Sequence, residues 1–161
     1  MILLNKMLDQ GNTFFRNNLL YEASNIYKEA LERLNQLNDD QINALKHLHL
    51  CLLLNLSRSQ RKTGDIVRAI TVATEAVDMN PVSTEALVTR AKAFKVGNMI
   101  AEALEDYSAA LRMDPTNKVI YLDYLRLREE WKLQTTKNAF LSESYDSIVY
   151  IDDCVTNCSS I

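Results

Sequence analysis

The side chains with the clearest chemical potential in this sequence are cationic. Arg58 and Lys62 stand four residues apart and Lys92 and Lys95 three apart, so each pair shares one face wherever its segment is helical. Such clusters suit charge-assisted hydrogen bonds to carboxylates and supply no bond-making chemistry. Arg16 and Arg61 extend the set. Asn12 and Asn55 add carboxamides able to bond a ligand backbone or a local helix end, and Phe15 offers either an apolar floor for one ligand side chain or packing between helices.

Other reactive residue types are present without a reactive arrangement. On a helix His47 and Cys51 share a face while His49 points elsewhere, so the three do not converge on one metal ion. Cys154 and Cys158 would share a helical face but have no second pair of ligands. The acidic pairs Asp39/Asp40, Glu129/Glu130 and Asp152/Asp153 have no nucleophile, base and oxyanion donor placed with them, and no glycine-rich phosphate loop occurs. The expectation is a binding protein with no catalytic residues, metal or cofactor.

Composition agrees with a helical carrier for those cations. The chain has 161 residues, 47% hydrophobic and 24% charged, with only 3 Gly and 2 Pro, which favours one mainly helical domain over a turn-rich sheet. A net charge of −3 argues against a generic nucleic-acid binder. The apolar stretch Leu48 to Leu56 contains His49 and Asn55 and is too short to cross a bilayer, so no membrane partner is expected. Three cysteines form no disulfide framework, and the opening MILLNK lacks a secretory apolar region. A cytoplasmic or nuclear location is the resulting expectation.

A period of 34 residues organises the chain. Segments Leu50–Ser83 and Thr84–Asn117 abut, and Ala69, Ala76 and Pro81 recur as Ala103, Ala110 and Pro115. An earlier copy, Leu4–Leu37, carries Gly11, Phe14, Ala23, Tyr27 and Ala30 at matching places. Small residues recurring at Ala23, Ala69 and Ala103 imply two helices crossing closely in each copy. Asn18, Gly64 and Asn98 mark the turns inside the pairs, and Ser83 is a candidate cap for the next helix. Residues 38–49 interrupt the period without a breaker after Asp39 and Asp40, which predicts a long helix from about Asp40 to Lys62. Beyond Asn117, the run Val119, Leu122, Leu125 and Leu127 with Trp131 predicts a helix over 118–133 covering the last copy, Trp131 in its core. Residues 135–161 read as an acidic tail or an extra helical segment, outside a domain spanning 1–134.

These landmarks resemble tetratricopeptide repeats. The resemblance implies an all-α, right-handed superhelix of three helix-turn-helix repeats with a C-terminal capping helix. Within the family, the three copies and long second-copy helix are similar to co-chaperone domains that grip the extreme C-termini of cytosolic chaperones with five polar residues. Asn12 and Asn55 match two of those positions, whereas Leu8, Glu85 and Thr89 occupy the other three. The resemblance thus implies peptide binding through an incomplete carboxylate clamp.

With the first helix of each pair on the inner face, Asn12, Phe15 and Arg16 lie near Asn55, Arg58, Arg61 and Lys62, followed by Lys92 and Lys95. The expected function is an adaptor holding an acidic peptide or protein segment in that basic groove, in co-chaperone or complex-assembly work. The alternative is a scaffold or self-associating adaptor using its convex face or the long helix. A further expectation is intramolecular: Glu143, Asp146, Asp152 and Asp153 of the tail oppose Arg58, Lys62, Lys92 and Lys95 in charge, so the tail is a candidate occupant of the groove.

Overall fold

The computed structural model describes residues 2–157, with side chains to residue 137. The described residues form α1 (Ile2–Arg16), α2 (Leu20–Leu34), α3 (Asp39–Ala44), α4 (Lys46–Thr63), α5 (Ile66–Met79), α6 (Thr84–Val96), α7 (Ile100–Met113) and α8 (Lys118–Asn157), with no strand among them. The chain divides into two compact units, Met1–Tyr124 and Leu125–Ile161, and the boundary falls inside α8.

In the first unit α1 pairs with α2, α4 with α5 and α6 with α7. The first helices also touch one another, α1 against α4 and α4 against α6. The reason is the small residue where the helices of a pair cross: Ala23, Ala30, Ala69, Ala76, Ala103 and Ala110 are all fully buried. A larger side chain at any of these places would push two helix axes apart. Sandwiched between neighbours, α4 buries three consecutive leucines, Leu52, Leu53 and Leu54, instead of a single stripe.

Each pair is closed by the same turn. Asn18, Gly64 and Asn98 have φ of 61°, 88° and 59°, the left-handed region that Gly and Asn enter at least cost. The backbone then makes one hydrogen-bond pattern three times. Leu19 N donates to Phe14 O, Asp65 N to Gln60 O and Met99 N to Phe94 O, each at 2.9 Å, while Asn18, Gly64 and Asn98 donate to Phe15, Arg61 and Lys95. This is the Schellman closure, which satisfies carbonyls that the helix end would otherwise leave open. The second helices of the later pairs stop at Met79 and Met113, just before Pro81 and Pro115. Ser83 Oγ accepts from Ala86 N at 3.2 Å and caps α6, as expected, and Asn117 caps α8 from the corresponding place through Ile120 N at 3.2 Å.

Two expectations require correction. The helix foreseen from Asp40 to Lys62 is divided at Leu45, whose φ of −106° and ψ of 12° leave the helical region, so α3 and α4 meet at a break. Its cap is Asn38, which closes a reciprocal box with Gln41, and Asp39 and Asp40 stand in the first turn where the helix dipole favours them. Trp131, assigned by its spacing to a buried core, is 41% exposed. The helix starting at Lys118 continues past 133 to Asn157. The acidic side chains of the tail, Cys154 and Cys158, and with them the docking of the tail into the groove, lie outside the described residues.

Gly11 is fixed by the aromatic ring opposite it. A Cβ at that position would stand 2.8 Å from Tyr27 Cδ1 and 2.9 Å from Cζ, and Tyr27 is fully buried and unable to swing away. Gly11→Ala gains about 1 kcal/mol of helix propensity and loses about 1–3 kcal/mol to overpacking. The expected net effect is a melting temperature lowered by several degrees, read by circular dichroism at 222 nm; an unchanged or raised value would show that the ring has room to move.

Candidate functional site

The first helices of the three pairs enclose a pocket of about 140 Å³ lined by Phe15 of α1, Arg58 and Arg61 of α4, and Glu85, Val88, Thr89 and Lys92 of α6. Arg58 and Arg61 lie one turn apart on α4, and Glu85, Thr89 and Lys92 follow one stripe of α6, so the helical period delivers all of them to one place. The polar floor is a chain of hydrogen bonds crossing from the first pair to the third. Tyr27 Oη donates to Asn12 Oδ1 at 2.8 Å, and Asn55 Nδ2 donates to the same oxygen at 2.9 Å. Arg58 Nη1 then donates to Asn55 Oδ1 at 3.1 Å, and Arg58 Nη2 to Glu85 Oε1 at 2.6 Å, with Thr89 Oγ1 at 3.4 Å.

Electrostatics at the site follow from burial and these pairings. Burial pushes the Tyr27 phenol up to about 12 against the opposing pull of Arg16 and Arg58, so Tyr27 is a donor throughout the neutral range. The Tyr107 phenol also stands at about 12, through burial and then the nearby Asp123 carboxylate. Burial lowers the pKa of Arg61, Tyr107 opposes the shift and Arg58 adds to it. Lys92 Nζ lies 3.7 Å from Asp123 Oδ2, and Lys62 Nζ sits 4.5 Å above the centre of the Phe15 ring.

Of the nine residues singled out by sequence, Phe15, Arg58, Arg61 and Lys92 line the pocket, and Lys62 lies on Phe15. Asn12 and Asn55 are joined to each other beneath it. Arg16 is exposed and turned back onto its own helix, its Nε donating to Asn12 O at 3.2 Å, and Lys95 stands on the last turn of α6 away from the pocket lining. The groove expected from sequence to be polar and mainly basic also holds an anion, Glu85, opposite Arg58. Three contributors were not foreseen: the Tyr27 hydroxyl as a partner of Asn12, Glu85 as the partner of Arg58, and Asp123 beside Lys92. Their distances in sequence carry no local signal of contact. A separate, more buried ion pair, Arg90 to Asp106 with both bonds at 2.7 Å, ties α6 to α7 away from the pocket.

His47 and Cys51 share a face and His49 points elsewhere, as their spacing predicts. Cys51 Sγ lies 3.8 Å from His47 Nδ1, while His49 is buried beside Glu75 at 3.9 Å. Burial, and then Glu85, raises the Cys51 thiol, which disfavours the thiolate a nucleophile needs. Among the described residues no three His, Cys, Asp or Glu side chains are placed to hold a metal ion, and no helix is long and apolar enough to cross a membrane.

The pattern of paired helices and shared turns places this chain beside known proteins. No protein-family model matches it. Dynein axonemal assembly factor 4 of Pongo pygmaeus is 29% identical over 128 residues, a match covering 74% of this chain and 28% of that protein. The chain thus spans little more than a quarter of the length of the curated relatives it matches. Among solved structures, the C-terminal TPR-containing domain of an FK506-binding protein of Plasmodium falciparum has a TM-score of 0.72 at 25% identity, covering 83% of this chain and 91% of that one. The myosin chaperone UNC-45 of C. elegans, in complex with a Hsp90 peptide, has a TM-score of 0.67 at 26% identity, covering 80% of this chain and 14% of that one. The fold is therefore an all-helical tetratricopeptide-type repeat, similar to the TPR-containing domain and the myosin chaperone just described.

Removing the Tyr27 hydroxyl tests the polar floor. Tyr27→Phe keeps the ring and deletes one buried hydrogen bond, so it should lower unfolding free energy by about 1 kcal/mol. Urea denaturation should show that loss in the wild type and a smaller one in an Asn12→Ala background, where the partner is already gone. Equal losses in the two backgrounds would mean that the bond is not formed in solution.

Proposed function

We propose that this chain is a protein-interaction adaptor that holds an acidic peptide, or an acidic segment of another protein, against the pocket of α1, α4 and α6. The observation that carries the reading is Arg61: a half-buried guanidinium lining the pocket, with no ion pair to it among the described residues. A half-buried cation without a counter-ion gains from an incoming carboxylate more than a fully exposed one would. Phe15 and Val88 give the same ligand apolar contact. The three helix pairs are read as three repeats.

The clamp is read as incomplete. Leu8 brings no charge, Thr89 brings a hydroxyl, and Glu85 turns one cationic position into an anionic one. A uniformly acidic chaperone tail would therefore be held more weakly here than by five matching residues. A role in assembling or chaperoning other proteins is supported by the likeness to the axonemal dynein assembly factor and to UNC-45 with its Hsp90 peptide.

The test is a pull-down with the wild-type chain beside an Arg61→Gln, Lys92→Glu double variant, followed by peptide mapping and anisotropy with the recovered segment. Losing one or two charge-assisted bonds should weaken affinity at least about tenfold with the helical circular dichroism unchanged. Intact binding by the double variant would move the interaction to another surface and overturn the reading.

A further inference from the structure

The charges in the pocket are not equivalent. Arg58 donates from both terminal nitrogens to its own chain, to Asn55 at 3.1 Å and to Glu85 at 2.6 Å, so the edge a ligand carboxylate would use is already taken by Glu85. Lys92 has Asp123 beside it at 3.7 Å. Arg61, one turn along α4 from Arg58, lines the same pocket with no ion pair among the described residues. Glu85 meanwhile keeps 61% of its side chain exposed while one of its oxygens bonds Arg58. A carboxylate accepts about four hydrogen bonds, so Glu85 retains acceptor capacity directed to solvent. The mouth of the pocket therefore offers a cation site and an anion site, and at about 140 Å³ it brings neighbouring ligand side chains to both.

We propose that this pocket selects a protein segment in which an acidic residue stands next to a basic one, the acid received by Arg61 and the base by Glu85, and discriminates against a uniformly acidic segment. The proposal rests on the reading that this groove binds peptides and names the class of segment it takes. A second ligand carboxylate at Glu85 meets like charge, and to reach Arg58 it must displace a short intramolecular pair that needs no association to form. A ligand ammonium meets Glu85 without breaking that pair. Selectivity then comes from a repulsive element as much as from an attractive one.

Three fluorescein-labelled peptides of equal length test this, identical except at the centre: Asp-Asp, Lys-Asp or Asp-Lys. By anisotropy the wild type should bind one of the mixed peptides about two- to fivefold tighter than the uniformly acidic one, the range expected of a solvent-exposed ion pair. Glu85→Gln should abolish that preference and tighten binding of the acidic peptide by freeing Arg58, and Arg61→Gln should weaken all three. A wild type that prefers the acidic peptide, or a preference unchanged in Glu85→Gln, overturns the proposal while leaving peptide binding at the groove intact. Failure of the wild type to bind any of the three overturns both readings together.

Discussion

Close approach of two helices at an alanine is the constraint on which everything else rests. Ala23, Ala69 and Ala103, with Ala30, Ala76 and Ala110 two turns on, have no exposed surface, and Gly11 is pressed against the Tyr27 ring. Where the second helix of a pair sits that close to the first, it also reaches the first helix of the next pair, α2 touching α4 and α5 touching α6. The first helices are thereby laid side by side. A pocket that draws residues from α1, α4 and α6 follows from that spacing, without any one segment having been shaped for it.

The same stacking explains why the site is polar beneath and charged above. Tyr27 reaches from α2 to Asn12 of α1, Asn12 is bonded by Asn55 of α4, and Arg58 of α4 reaches Glu85 of α6. These three links cross helix boundaries and the Arg58–Asn55 bond joins them within α4, so the chain of bonds couples the register of three pairs, and its members are held in place before any ligand arrives. Buried polar groups left unpaired would cost more than the bonds themselves contribute. Asn12 and Asn55, read from sequence as groups able to bond a ligand backbone or a local helix end, bond one another across α1 and α4.

Much of the fold was legible because the period of the small residues and turns is a local property. Left-handed backbone at Asn18, Gly64 and Asn98 is restricted to few residue types, and the alanine spacing reports helix crossing directly. The faces of Arg58, Arg61 and Lys92 were legible by helical spacing for the same reason. Glu85 was recognised as an anion at a position where a ligand carboxylate was expected, yet its pairing with Arg58, 27 residues away, depends on the lateral distance between α4 and α6, which no local pattern encodes. The break at Leu45 carries neither Gly nor Pro and left no mark in the sequence. Trp131 looked like core because apolar spacing cannot distinguish a buried ring from an exposed one.

An amide chemical-shift titration of the isotopically labelled chain with a short peptide bearing acidic residues reads the account most directly. It predicts perturbations concentrated around Phe15, Arg61, Glu85 and Lys92, on three helices far apart in sequence. Shifts gathered instead along α2 and α5, with those four residues unmoved, would contradict it.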